Sequence, residues 1–86
     1  MQFTETYKGV WESDKQQIVA CAICRDENGK DTGKLLKSTE AMYRIRETEK
    51  GFQIHTTLFG GRKQHLKTKK TFNEAVKFIV KYDDSK

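Results

Sequence analysis

Cys21-Ala22-Ile23-Cys24 has the half-site spacing of many zinc centres, and His55 and His65 complete the two cysteines and two histidines that a tetrahedral zinc ion could take. The spacing argues against a metal. Nine residues separate the histidines, where zinc motifs hold roughly three to five between them. On a strand, Cys21 and Cys24 would point to opposite faces. No glycine or proline builds a knuckle around them, and no helix starts at the motif to activate a redox thiol. The two cysteines are therefore expected to be buried, small and apolar, and the chain calls for no metal or other cofactor.

His55 and His65 could also meet on neighbouring strands and exchange protons with a substrate. Nothing around them completes a catalytic arrangement. There is no nucleophile elbow and no zinc-protease helix, and Gly60-Gly61 precedes a strand, not the helix that a phosphate-binding loop requires. The sequence predicts a non-enzymatic protein.

The basic residues are the more informative set. Residues 1 to 49 hold eight Lys/Arg against nine Asp/Glu, whereas residues 50 to 86 hold nine against three, so the net charge of +5 belongs to the second half. Such asymmetry suits a polyanionic partner, nucleic acid first; a Lys-rich face that serves only solubility is the alternative. Alternation along the strands sorts these charges. Arg44 and Arg46, then Gln53, His55 and Thr57, then Lys63, His65 and Lys67 fall on one face of a sheet, with Met42 beside them. Arg62, Lys69 and Lys70 lie at its rim. Lys and Arg meet phosphates, while Arg, Gln and His also reach base edges.

At 86 residues the chain is one domain. Residues 2 to 11 alternate as a half-buried strand with Phe3, Tyr7 and Trp11 on one face and a bulge at Gly9. Gln17 to Arg25 is apolar on both faces, the mark of a covered, central strand. Asp26 to Lys34 reads as a loop with a turn at Asn28-Gly29; Leu35 to Ala41 fits either a strand or a single helical turn. Met42 to Thr48, Phe52 to Phe59 and Arg62 to Thr68 alternate, and Gly60-Gly61 between the last two matches a two-residue hairpin turn.

Thr71-Phe72-Asn73-Glu74 has capping-box spacing. Phe72, Ala75, Val76 and Ile79 follow at helical spacing and should face the sheet, with Lys77 and Lys81 outward. The helix should end near Tyr82, leaving residues 83 to 86 as a frayed tail. The whole is an α+β domain, an antiparallel sheet of about five strands with one C-terminal helix packed on one face. Residues 1–41 supply N-terminal strands and a loop, and 42–82 a three-stranded sheet plus the helix.

Within Tyr43 to Tyr82, the run GFQIHTTLFGGRKQHLKTKK followed by TFNEAVKFI resembles the arm-type DNA-binding domain of phage tyrosine integrases. It is also similar to the DNA-binding domain of plant ethylene-response factors. That resemblance implies a three-stranded sheet in the major groove, with Arg44, Arg46, Gln53, His55, Lys63, His65 and Lys67 on DNA, and favours DNA over RNA. It covers about half of the chain and includes no recombinase portion.

A protein-interaction module or inhibitor of phage or mobile-element type is the other reading, anchored on Tyr7, Trp11 or Phe59. No apolar run approaches the roughly 18 residues of a membrane span, and MQFTETYKGV lacks the pattern of a signal peptide. A cytoplasmic setting is expected.

Overall fold

The structure, a computed structural model, describes every residue except Asp26, and the side-chain surroundings of all the others except residues 23–25, 31, 32 and 34. Its elements are β1 (Phe3–Tyr7), β2 (Val10–Ser13), β3 (Gln16–Arg25), β4 (Asp31–Ala41), β5 (Tyr43–Thr48), β6 (Gly51–Thr57), β7 (Lys63–Lys69) and α1 (Phe72–Asp84). Five strands form one antiparallel sheet in the order β1-β2-β5-β6-β7, and α1 lies across one face of it. The fold is α+β, as expected.

The core forms where the two periodicities meet. Tyr43 and Ile45 from β5 and Ile54 from β6 sit two residues apart on one face, and Ala75 and Ile79 sit four apart on α1; all five are fully buried. Phe72, at the start of the helix, meets three rings of the sheet: Trp11 at 4.8 Å between centroids, Phe52 at 6.2 Å and Phe3 at 6.4 Å. Thr71 caps the helix, its hydroxyl accepting from the Glu74 N–H at 3.2 Å. Lys77 and Lys81 are exposed, as their helical positions require.

The helix runs past Tyr82 to Asp84, so the expected frayed tail is corrected: Asp83 is anchored. Its carboxylate accepts from Lys15 Nζ at 2.7 Å and from the Tyr43 hydroxyl at 2.8 Å. These partners come from the junction of β2 with β3 and from the central strand, so the last turn is tied to the sheet.

The apolar strand Gln16–Arg25 is not central. β3 pairs only with β4, in a separate two-stranded ribbon. The middle strand of the sheet is β5, whose sequence merely alternates because its second face has no helix on it. β3 follows β2 and β4 leads into β5 with a break at Asp14–Lys15 and at Met42. Across the break, the Met42 N–H donates to the Lys15 carbonyl at 2.8 Å. The buried Ser13 hydroxyl accepts from the Tyr43 N–H at 3.0 Å and donates to the Lys15 carbonyl at 2.9 Å. The ribbon is thus an arm projecting from the sheet. The radius of gyration is 16.4 Å and the longest dimension 55 Å, against about 12 Å for the radius of a compact chain of this length.

Cys21 is free and exposed on this arm, not buried as the sequence suggested; the side chains of Ile23 and Cys24 lie outside the described set. Leu35 and Leu36, in what is a strand and not a helical turn, are 53% and 64% exposed. The predicted loop at 26–34 is shorter, since β4 already begins at Asp31, and Asp26 itself lies outside the described residues.

Two further expectations change. Residues 2 to 11 are two strands joined by a turn at Lys8-Gly9, which carries Tyr7 away from Phe3 and Trp11 and leaves it 76% exposed. Gly60 and Gly61 do take positive φ, 92° and 84°. However, the hairpin loop holds three residues, Phe59 to Gly61, closed by the Leu58 N–H donating to the Arg62 carbonyl at 2.8 Å.

Candidate nucleic-acid interface

The face of the sheet opposite α1 is set by register. Arg44 stands opposite His55 and Arg46 opposite Gln53 between β5 and β6; His55 stands opposite His65 and Thr57 opposite Lys63 between β6 and β7. Directly opposed residues share a face, so Arg44, Arg46, Gln53, His55, Lys63 and His65 come together, as alternation predicted. The His55 and His65 rings are 5.2 Å apart. Arg44, Arg46, His55 and Lys63 line one recess of about 190 Å³.

Lys67, Lys69 and Met42 do not belong to this face. The ladder between β6 and β7 slips by one residue between Ile54 and His55, leaving Leu66 as an extra residue that packs against the core. Beyond the slip, Lys67 pairs with the buried Ile54 and Lys69 with Phe52, so both belong with the helix side. Lys69 Nζ lies 5.5 Å from the centre of the Phe78 ring on α1. Strict alternation fails here because a bulge places two residues against one. Met42, at the break between β4 and β5, packs against the core instead. Arg62 and Lys70 are exposed just before and just after β7, at the rim where they were expected.

Thr68, missed from the sequence, takes the place assigned to Lys67. It stands opposite Gln53, and its hydroxyl lies 3.1 Å from His65 Nε2. Glu12 and Glu40 were missed too. Glu12, opposite Arg44 on β2, reaches the Arg44 guanidinium at 3.4 Å. Glu40, at the root of the arm, meets Lys63 Nζ at 3.0 Å; that ammonium also donates to the Thr57 hydroxyl at 3.0 Å. Opposite charges on neighbouring strands could have flagged the Glu12–Arg44 pair. Nothing in the sequence announces the slip at Leu66, which involves no glycine.

The arm borders one end of this face. The Thr57 hydroxyl donates to the Ala41 carbonyl at 2.7 Å, and the Gly60 N–H donates to the Val19 carbonyl at 2.9 Å. Val19 is the residue at which the β3–β4 ladder slips, so its carbonyl is met by the turn between β6 and β7.

Positive charge dominates the electrostatics. Burial lowers the His55 pKa below its ordinary value, and His65, Arg44 and Arg46 push it in the same direction. Arg44 Nε is buried with no hydrogen-bond partner among the described residues, and Arg46 makes no ion pair among them. Such a face can meet phosphate groups with charge-assisted hydrogen bonds. Among the described residues, no three His, Cys, Asp or Glu side chains group closely enough to hold a metal ion. No helix among them is long and apolar enough to cross a membrane. No protein-family model, curated protein or solved structure matches the chain.

Proposed function

We propose that this chain is a small, non-enzymatic nucleic-acid-binding domain of the cytoplasm that docks its basic sheet face on the phosphate backbone, with DNA the favoured polymer. The observation that carries this reading is the convergence of Arg44, Arg46, Gln53, His55, Lys63 and His65 on the one sheet face that α1 leaves uncovered. Arg46 is exposed and unpaired there among the described residues. The resemblance of Tyr43–Tyr82 to sheet-and-helix DNA-binding domains favours DNA over RNA.

Fluorescence anisotropy against duplex DNA, single-stranded DNA and duplex RNA at two salt concentrations tests it. Micromolar binding that weakens steeply with salt is expected, since each neutralised phosphate releases condensed counterions. Absence of binding to all three polymers at low salt would sink the reading.

A protein-interaction module, of the kind phages and mobile elements carry, is the second reading. Phe59 is 63% exposed beside the arm, which itself exposes Leu35 and Leu36, while Tyr7 is exposed at the far turn. Of the anchors expected from the sequence, only Trp11 is turned inward, against Phe72. Residues 16–41 carry four Lys/Arg and four Asp/Glu, so the arm has no net charge to attract a polyanion. A nucleic-acid-free pull-down that depends on Leu35 and Leu36 would favour this reading.

A further inference from the structure

The recess lined by Arg44, Arg46, His55 and Lys63 has more donors than its neighbours use. Arg44 Nε–H is buried without a partner among the described residues. Its ion pair to Glu12 is long at 3.4 Å, and Arg46 has none among the described residues. A buried orphan donor in a native fold calls for an occupant. Converging guanidinium groups suit the tetrahedral oxygens of a phosphate.

Two imidazoles in ring contact complicate the charge. His55 faces Arg44 and Arg46 from β5, His65 and Lys63 from β7, Glu12 across Arg44 from β2, and Glu40 across Lys63 from the arm root. With no anion present, burial first, and then His65, Arg44 and Arg46, disfavour a proton on His55. An anion seated among them reverses that balance, because an imidazolium donates from both nitrogens and its charge is then compensated.

We propose that this recess is a subsite for a single phosphate group, whose capture is coupled to uptake of about one proton by His55. The identity of its natural ligand, a phosphate of a nucleic-acid backbone, rests on the function proposed above. The depressed pKa of free His55 leaves room for that uptake near neutral pH. By linkage, a binding step that takes up one proton tightens up to about tenfold per pH unit as pH falls between the bound and free pKa values.

The test is an NMR titration of the full chain with sulfate, a tetrahedral dianion that does not itself titrate near neutral pH, with chloride at matched ionic strength as reference. The expected result is saturable, concerted movement of the His55 and His65 imidazole signals, an upward shift of the His55 titration, and affinity that rises as pH falls. His55→Gln, checked for folding by its amide spectrum, should flatten that pH slope. Imidazole signals that respond to sulfate no more than to chloride, or sulfate affinity independent of pH, would overturn the subsite. Duplex DNA run in parallel separates the two ideas. If sulfate couples to the histidines but no duplex binds, the subsite stands and the nucleic-acid reading falls; if duplex binds with no pH dependence, the subsite alone falls.

Discussion

Arg46 and Lys67 are both exposed cations on neighbouring parts of one sheet, yet register gives them different surroundings. Arg46 opposes Gln53 on the uncovered face, whereas Lys67 opposes the buried Ile54. Arg46→Glu is therefore expected to weaken duplex binding by about tenfold at low salt and to reduce the salt slope by about one. Lys67→Glu should do markedly less, and anisotropy titrations of the two variants side by side read the difference. Equal losses would mean that overall charge, not this face, governs binding.

Asp83 illustrates a second residue-level effect. Hydrogen bonds from Lys15 and Tyr43 hold its carboxyl below the ordinary carboxylate range. A depressed folded-state pKa means that the unfolded chain binds more protons in acid. The stabilisation is therefore complete above the ordinary Asp value of about 3.9 and is lost as pH falls through the folded value. Asp83→Asn should lower stability by about 1 kcal/mol at neutral pH, given the partial exposure of the Lys15 pair. Urea denaturation should show that deficit shrinking in acid.

At the scale of elements, the helix and the β6–β7 hairpin depend on features that can be removed singly. Thr71→Ala deletes the hydroxyl that receives the Glu74 N–H and should cost about 1 kcal/mol. Gly51 opens β6 at φ 125°, and a Cβ there would lie 2.5 Å from the Lys69 carbonyl oxygen. Gly51→Ala should therefore cost about 2 kcal/mol or more, because β7 has to move and the backbone is strained as well. Thermal melts of both variants would rank them.

These same elements were legible in the sequence, because each obeys a local rule: a cap three residues before its carboxylate, two glycines at a turn, alternation from Tyr43 to Thr57. What escaped was non-local. The apolar run Ile18–Cys24 has the pattern of a strand covered on both faces, but pattern alone does not say what covers it. Its residues from Ala20 to Ala22 are small, so leaving them exposed costs little apolar area. The candidate face was read correctly on β5 and β6, where pairing is regular, and misread on β7 beyond Leu66. There a bulge moved Lys67 off the face and Thr68 onto it.

For the whole molecule, burial is divided unequally. Among the described residues, the body holds every fully buried apolar side chain, while the arm has two strands and no layer on either side. An isolated two-stranded ribbon is marginal in water. Amides of β3 and β4 beyond Val19 and Glu40 should thus exchange with solvent faster than those of β5 and β6, which hydrogen-exchange mass spectrometry would detect as two separate classes. A single uniform class would show that the arm is covered in solution.

Because β2 leads into β3, and β4 into β5, across the break at Asp14–Lys15 and Met42, the distance the arm spans is set by how many cross-strand pairs it contains. Excising matched residues from both strands, two pairs at a time, would shorten it by about 7 Å per step while keeping each remaining side chain on its own face. The anchors at Ser13, Val19 and Glu40 fix where trimming has to stop. The protein thus contains a gauge that can be lengthened or cut independently of the platform carrying it.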